Sequence, residues 1–205
     1  EIQALIFFYE QKHSIEVNMA EKIATAFNII YHKINIPMKD LVVSALTDQN
    51  REIPDSLNAA KDKNGIPYTY VPFRNGIFLS LAAAYGESRG IFNLITGFNV
   101  VDTPDYPDTT EVFVTRMEAA INQGTSSSIT GQRFRIHAPL IKKTKPEIIQ
   151  TGLGLGADYS YSISCYRGNE VPCFACPACE IRMKAFKKLH MEDPLVLRLK
   201  KEGRL

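Results

Sequence analysis

Residues 4–36 read ALIFFYEQKHSIEVNMAEKIATAFNIIYHKINI, and this stretch decides the fold class. Residues 4–9 form a continuous apolar run of strand length, as expected where helices cover both faces of a sheet. Ser14 is a candidate N-cap, and apolar side chains then recur at four-residue spacing, which predicts an amphipathic helix. Residues 29–36 alternate bulky apolar and polar side chains and predict a second strand. Strand, helix and strand in this order indicate a crossover unit with two parallel strands.

Strands and helices keep alternating along the rest of the chain. The predicted elements are a loop or lid at 39–72, a buried helix at 75–87, a strand at 91–97, a helix at 110–123, a small-polar loop at 125–132, a short strand at 134–136 and a helix from about 145 to 152. This order predicts a doubly wound α/β fold with a mostly parallel sheet. We expect the α/β domain in residues 1–160 and a cysteine-bearing segment with a C-terminal helix in residues 161–205.

The composition indicates a globular protein whose partners are not selected by overall charge. The chain has 205 residues, 45% of them hydrophobic, and a formal net charge of +2. This balance favours neither nucleic acid nor an anionic membrane, and the basic run from Arg198 to Arg204 is expected to be a solvated tail. The longest apolar runs are far shorter than the roughly 20 residues that span a bilayer. We expect a cytoplasmic protein, with the first residue here lying inside a longer chain.

The four cysteines lie close together, in the pattern Cys165-x7-Cys173-x2-Cys176-x2-Cys179. Such clustering favours a metal site over disulfides, which would join distant segments. Zinc prefers four thiolates in a tetrahedral shell, and a site with four protein ligands is structural because no position is open for water. An iron–sulfur cluster also takes four cysteines, and four reduced free thiols are the third alternative. The sequence predicts one structural zinc ion and leaves these two alternatives open.

Five further motifs accompany the cysteines. They are Tyr9-x-Gln11-Lys12-His13, Ser44-Ala45-Leu46-Thr47-Asp48, Val71-Pro72-x-Arg74-Asn75, Tyr106-Pro107-Asp108 and Ala138-Pro139-Leu140. Together with Ser164-Cys165-Tyr166 and Arg182, this set resembles the 7-cyano-7-deazaguanine synthase family over nearly the whole chain. The resemblance implies an adenine nucleotide alpha-hydrolase-like fold of the ATP-pyrophosphatase type. The family's ATP-binding loop, Ser-Gly-Gly-x-Asp-Ser, does not occur in residues 1–205, so we expect it upstream of residue 1.

The resemblance also implies an activity. The expected enzyme is a ligase that activates the carboxylate of 7-carboxy-7-deazaguanine with ATP and Mg²⁺, and converts it with ammonia into 7-cyano-7-deazaguanine. Two alternatives stay open. One is a related ligase that couples the activated deazaguanine to another amine, including an amine on a protein in antiviral defence. The other is a zinc-stabilised binding module without catalysis. Assembly as a homodimer is expected, because two-subunit assembly is common in such folds.

Three residues are candidates for catalysis. Arg74 suits bidentate binding of a phosphate or of the substrate carboxylate, although an arginine before a helix can also cap a carbonyl. Asp102 follows a predicted strand, where α/β folds bind ligands, and it can accept hydrogen bonds from a guanine-like ring or serve in a turn. Lys145 can bind phosphate, or it is a solvated lysine at a helix start.

Four further residues are candidates for substrate binding. They are His13, Asn75, Tyr106 and Asp108. His13 can contact the nucleotide or move a proton, and a structural histidine is its alternative. Tyr106 can stack on the deazaguanine ring or fill the base of its loop. Asp108 shares the chemistry and the alternative of Asp102, and Asn75 follows Arg74 in its motif.

The chain departs from the family pattern in three places. Glu10 and Phe73 stand where the family usually has glycine, and Pro104-Asp105 replaces a Ser-Gly pair. Because glycine permits backbone conformations and close approaches that other residues restrict, Glu10 and Phe73 are expected to change the shape of the pocket. These departures are the reason for keeping a second acceptor amine as an alternative.

Overall fold

The N-terminal segment folds into the predicted crossover unit. The computed structural model, which describes residues 2–56, 61–101 and 105–205, contains strand β1 (Gln3–Phe8), helix α1 (Ile15–Ala26) and strand β2 (Ile30–Asn35). The two strands are parallel, with Gln3 opposite Ile30 and Phe8 opposite Asn35. The turn between β1 and α1 therefore lies at the carboxyl edge of the pair, where α/β folds bind ligands.

Helix α1 buries only part of the apolar face that its spacing predicts, which consists of Ile15, Met19, Ile23 and Phe27. Ile15 and Ala24 are buried, whereas Ile23 and Phe27 are 38% and 56% exposed. Ser14 occupies the N-cap position, but its side chain makes no capping hydrogen bond. The spacing therefore predicts the helix and its first residue, while the direction of the buried face depends on what packs against it.

Residues 39–72 are irregular, as predicted, but part of this segment is tightly packed. Its described residues contain the end of a 3-10 turn (Met38–Asp40) and an isolated antiparallel bridge between Lys61 and Pro67. Residues 44–47 are buried, and the Ala45 amide donates to the carbonyl oxygen of Tyr68 at 2.9 Å. The 44–48 motif is therefore an anchored part of the fold.

Residues 73–144 form a compact unit of their own. Its elements are helix α2 (Arg74–Glu87), strand β3 (Asn93–Ile95), helix α3 (Glu111–Gly124), helix α4 (Ser127–Thr130) and strand β4 (Arg135–His137). Strands β3 and β4 are parallel, with Leu94 opposite Ile136. The core of this unit consists of Leu79, Ala83, Leu94, Ile121, Phe134 and Ile136.

Two local features explain where the helices of this unit begin and end. The Thr110 hydroxyl accepts a hydrogen bond from the Phe113 amide at 3.1 Å, so Thr110 caps α3. Helix α4 falls inside the stretch that the sequence predicts as a loop, and this part of the prediction is wrong. Gly131 follows α4 with a left-handed φ of 77°, a conformation that glycine adopts readily at helix ends.

Three helices follow in the C-terminal part of the chain. They are α5 (Lys145–Gly154), α6 (Pro177–Lys188) and α7 (Pro194–Lys201). Ile149 of α5 packs with Ala185 and Phe186 of α6. Leu195 and Leu199 of α7 are buried, so this helix is packed on its apolar face, while the basic residues Lys200, Lys201 and Arg204 are exposed to solvent, as expected.

The described residues thus contain two parallel strand pairs, one in each compact unit. The first unit consists of Glu1–Pro72 and Lys145–Leu205, and the second of Phe73–Thr144. The α/β class with parallel strands is confirmed, whereas the doubly wound arrangement and the division at residue 160 stay predictions. Within the described ranges, every helix falls short of the length and apolar character that a membrane crossing requires.

Candidate metal centre and active-site residues

The four cysteine side chains converge at the start of helix α6. Their sulfur atoms all lie within 4.8 Å of one another, and Cys165, Cys176 and Cys179 are buried while Cys173 is partly exposed. Four thiolates at about 2.3 Å from a zinc ion are about 3.8 Å from each other in a tetrahedron. The sulfurs of Cys173 and Cys179 are 4.0 Å apart, so the donor set fits a tetrahedral four-thiolate ion.

The local backbone favours thiolates at this place. Cys176 is the N-cap of α6, Pro177 follows at its first position, and Cys179 lies in the first turn. The Cys176 amide donates to the sulfur of Cys173 at 3.3 Å, and the Cys173 amide donates to the sulfur of Cys165 at 3.4 Å. Amide donors and a helix N-terminus both stabilise negative charge on sulfur.

The sulfurs also control one another's protonation. Hydrogen bonds from the side chains of Cys176 and Cys179 hold the pKa of Cys165 far below its usual value. The same contacts with Cys165 raise the pKa of Cys176 and Cys179. Four thiolates so close together repel one another, and a bound cation would offset that repulsion.

His13 lies in the turn after β1, beside the four-cysteine segment. Its side chain is buried, and its Nε2 atom is 3.3 Å from the Tyr9 hydroxyl and 3.1 Å from a Glu16 carboxylate oxygen. The Tyr166 ring, next to Cys165 in sequence, has its centroid 5.9 Å from that of the imidazole. The Nδ1 atom is buried and has no hydrogen-bond partner among the described residues. This neighbourhood joins two motifs that are far apart in the sequence.

Arg74, Asn75 and Asp108 come together at the start of helix α2. The Asn75 amide donates to the Asp108 carboxylate at 3.0 Å, and the Asn75 side chain donates to the Asp108 carbonyl oxygen at 3.1 Å. Asp108 thereby caps α2 from outside the helix, and both partners are buried. Arg74 is the first residue of α2, with its guanidinium 5.9 Å from the centre of the Phe78 ring. The pair fixes the backbone next to Arg74.

For the three other candidates, Tyr106, Lys145 and Asp102, the structure gives less information about a possible role in binding. The Tyr106 carbonyl oxygen accepts a hydrogen bond from the Thr109 hydroxyl at 2.8 Å in the turn that leads to Asp108. Lys145 is the first residue of α5 and is partly buried. Asp102 lies outside the described residues.

Arg182 has a structural role that the sequence does not reveal. Its guanidinium contacts both carboxylate oxygens of Asp193, at 2.5 and 2.7 Å, and the Ser162 hydroxyl at 2.7 Å. The side chains of Arg182 and Asp193 are only 11% and 12% exposed. The ion pair therefore joins α6, which contains Cys179 and has Cys176 as its N-cap, to the start of α7.

Glu10 and Phe73, which replace glycines of the family pattern, keep a backbone that glycine adopts freely. Their φ angles are 59° and 54°, both in the left-handed region. Glu10 contacts Lys39 Nζ at 2.8 Å, and the Phe73 ring lies edge-on to Phe113 with centroids 6.1 Å apart. The departures from the family pattern therefore lie in these two side chains and not in a backbone path that glycine could not adopt.

Parallel strands, a packed helix that starts at Arg74 and four convergent cysteines define an α/β protein with a C-terminal four-cysteine cluster whose geometry fits a metal ion. The chain belongs to the family described as queuosine biosynthesis protein QueC, whose family model matches residues 1–190. The resemblance found in the sequence is confirmed, and with it the expectation of an enzyme of this family.

Several relatives of the chain share the name 7-cyano-7-deazaguanine synthase. The 7-cyano-7-deazaguanine synthase of Rickettsia rickettsii (strain Sheila Smith) is 40% identical over 198 residues, which cover 95% of this chain and 87% of the relative. The proteins of that name from Rickettsia akari (strain Hartford) and Rickettsia canadensis (strain McKiel) are 39% and 38% identical over the same shares of both chains. The similarity therefore extends over both compact units.

Proposed function

We propose that this chain is an ATP-dependent ligase that converts 7-carboxy-7-deazaguanine and ammonia into 7-cyano-7-deazaguanine. The observation that carries the proposal is the 40% identity over 95% of the chain to a relative named for this product. The two parallel strand pairs support an adenine nucleotide alpha-hydrolase-like, doubly wound sheet as the underlying fold. We further propose that the protein is a cytoplasmic homodimer.

The chemistry requires two activations because a carboxylate is a poor electrophile. A carboxylate oxygen attacks the α-phosphorus of ATP, with Mg²⁺ on the phosphates, and forms an acyl-adenylate and pyrophosphate. Ammonia attacks the carbonyl carbon, AMP leaves, and loss of a proton gives the amide. A second ATP adenylates the amide oxygen and again releases pyrophosphate. Departure of AMP and of the two remaining N–H protons then gives the nitrile.

Arg74 is the proposed binding group for the negative charge of the carboxylate or of a phosphate. A guanidinium is suited to this task because its donors match two oxygens of an oxyanion. Asp108 accepts two hydrogen bonds from Asn75, one on a carboxylate oxygen and one on its main-chain carbonyl oxygen. The contribution of Asn75 and Asp108 to substrate binding is therefore proposed to include the placement of Arg74. This cap is formed before substrate arrives, so little ordering is needed on binding.

The other candidates keep proposed roles. His13 and Tyr106 are proposed to bind the substrate, Lys145 to bind a phosphate group, and Asp102 to accept hydrogen bonds from the guanine-like ring. The four cysteines are proposed to hold one zinc ion, which stabilises the segment around α6 and takes no part in the bond changes. Four-thiolate zinc binding is favoured over an iron–sulfur cluster because the sulfurs already lie close to the spacing that one small ion needs.

The test uses the natural full-length protein with ATP, Mg²⁺, the carboxylate and ammonium, and mass spectrometry of the products. We expect nitrile, AMP and pyrophosphate, with ATP consumed only when the carboxylate is present. Arg74→Ala should lower kcat/KM roughly tenfold to a hundredfold, because a hydrogen bond to a charged group contributes about 1.5–3 kcal/mol. The control is Arg89→Ala, since Arg89 is exposed and its guanidinium lies 3.9 Å from the centre of the Tyr85 ring.

Each other outcome points to an alternative. Adenylate or amide that accumulates without nitrile would contradict the synthase assignment and favour coupling to a different amine. The Glu10 and Phe73 side chains, in place of glycines, are the observation behind that second candidate. A full-length protein that binds zinc but never turns over ATP would favour the binding module.

A further inference from the structure

The metal-binding loop between Cys165 and Cys173 packs against the turn that follows β1. Gly168, in the middle of this loop, has a φ of +71°. A methyl carbon added at Gly168 would overlap the carbonyl oxygen of Lys12 and lie 2.7 Å from the Cα atom of His13. Both the backbone conformation and the available space therefore require glycine here.

A ring contact joins the same two segments. Tyr166 lies two residues before Gly168, and its ring is 5.9 Å from the imidazole of His13 at an interplanar angle of 58°. Tyr9 and Glu16 contact Nε2 of the same imidazole at 3.3 and 3.1 Å. Groups from β1's end, from α1 and from the metal-binding loop thus surround one histidine.

The turn cannot move away from Gly168 without losing other contacts. The Lys12 amide donates to the Leu46 carbonyl oxygen at 2.9 Å, and the Tyr9 amide donates to the Gln11 side chain at 2.8 Å. The contact at Gly168 is between main chains, so rotation of a side chain cannot relieve an added methyl group. A change at Gly168 must therefore displace either the metal-binding loop or the backbone at His13.

We propose that Gly168 is a positioning residue, through which the four-cysteine centre fixes the backbone of residues 9–13 and the imidazole of His13. Metal–thiolate bonds at Cys165 and Cys173 hold the two ends of the loop, and Gly168 transfers that constraint to Lys12 and His13. The contact itself does not depend on the proposed function. Its effect on turnover does, because it requires His13 to serve the synthase reaction.

The first test compares Gly168→Ala with Gly156→Ala in the full-length protein. Gly156 has a φ of +80° and no atom within 4 Å of an added methyl carbon, so its alanine variant has the same backbone strain without the contact. We expect both variants to keep about one equivalent of zinc. Amide hydrogen exchange in residues 9–14 should be about tenfold faster in Gly168→Ala alone, since a local contact that holds this turn is lost.

Two results would overturn the proposal. One is exchange in residues 9–14 that is equal in the two variants. The other is loss of zinc from Gly168→Ala, which would mean that the glycine serves the folding of the metal site. Chelation of zinc from the wild-type protein gives an independent measurement. Exchange should then increase in residues 9–14 as well as in the cysteine segment, and an increase confined to the cysteine segment would contradict the coupling.

A double-mutant cycle tests the link to turnover. Gly168→Ala should lower kcat roughly tenfold to a hundredfold, the effect of a small displacement of a group that orients the bound substrate. In a His13→Ala background the same change should have almost no further effect, because both act through one imidazole. Additive losses would overturn the link. If the wild-type protein forms no nitrile, the proposed function fails, while the exchange experiment still decides whether Gly168 positions the turn.

Discussion

Replacing Phe73 by glycine and by alanine gives a direct test of the backbone at the start of α2. Phe73 is the N-cap of α2 with φ 54° and ψ 23°, and its side chain is 53% exposed. Both substitutions remove the ring and its edge-on contact with Phe113. They differ in what the left-handed backbone costs and in the entropy of the unfolded chain, so the comparison gives the backbone cost once the entropy difference is subtracted.

The magnitude follows from two opposing effects. A residue with a Cβ atom costs about 1–2 kcal/mol in the left-handed region relative to the right-handed one. Alanine has an advantage of about 0.4–1 kcal/mol over glycine from the smaller entropy of its unfolded chain. The strain is larger, so Phe73→Gly should be more stable than Phe73→Ala by roughly 0.5–1 kcal/mol. For a chain of this size that difference corresponds to roughly 1–4 °C in Tm.

The assay is thermal or urea unfolding of the zinc-loaded full-length protein. Ser80 provides the matched control, because it lies exposed inside α2, where φ is helical, and its hydroxyl bond to the Gly76 carbonyl is lost in both variants. There the order should reverse, with Ser80→Ala more stable than Ser80→Gly by about 1 kcal/mol. If Phe73→Ala were as stable as Phe73→Gly or more so, the left-handed backbone at Phe73 would be refuted.

The remaining predictions concern the metal centre and its support. The full-length protein should contain about one equivalent of zinc, and Cys176→Ser should release it and unfold the segment around α6, because structural zinc contributes roughly 10 kcal/mol or more. Elemental analysis decides, and iron with visible charge-transfer absorption would contradict zinc. Arg182→Met should cost about 3–5 kcal/mol by leaving Asp193 buried without its partner. The exposed pair Lys184–Glu180 in the same helix is the control, and Lys184→Met should cost less than about 1 kcal/mol. Equal losses of Tm in the two variants would show that the Arg182–Asp193 pair does not stabilise the segment around α6.

The sequence predicts those parts of the fold that depend on neighbouring residues. The β1–α1–β2 crossover follows from local periodicity, and its parallel pairing agrees with the register from Gln3 to Phe8. The buried face of α1 depends on distant packing partners, which is why Ala24 and not Ile23 is buried. The short helix α4 was missed because its Ser-Thr-rich sequence is equally typical of a loop.

In the candidate site, too, features that depend on neighbouring residues are predictable, and contacts between distant residues are not. The cysteines are recognisable because three of them follow one another with two residues in each gap, a spacing that a single tight loop can satisfy. The hydrogen bonds between Asn75 and Asp108 join residues 33 apart in the sequence, and no local pattern predicts such a pair. The contact of Gly168 with Lys12 joins opposite ends of the chain. The sequence shows only that Gly168 lies in the seven-residue gap between Cys165 and Cys173. It does not show which residue the glycine contacts.

The departures at Glu10 and Phe73 indicate how this chain differs from the usual family pattern. Both residues keep a left-handed backbone, so the turn after β1 and the start of α2 retain the path that glycine permits. The cost of that path for a residue with a side chain, about 1 kcal/mol at each position, is borne without a change of fold. Compared with glycine, the two residues add chemical groups. Glu10 adds a carboxylate beside Lys39 at the carboxyl edge of β1, and Phe73 adds an aromatic ring next to Arg74. Differences in acceptor amine should therefore respond to substitution of these two side chains, and an unchanged product distribution in Glu10→Gly and Phe73→Gly would assign them to ordinary divergence.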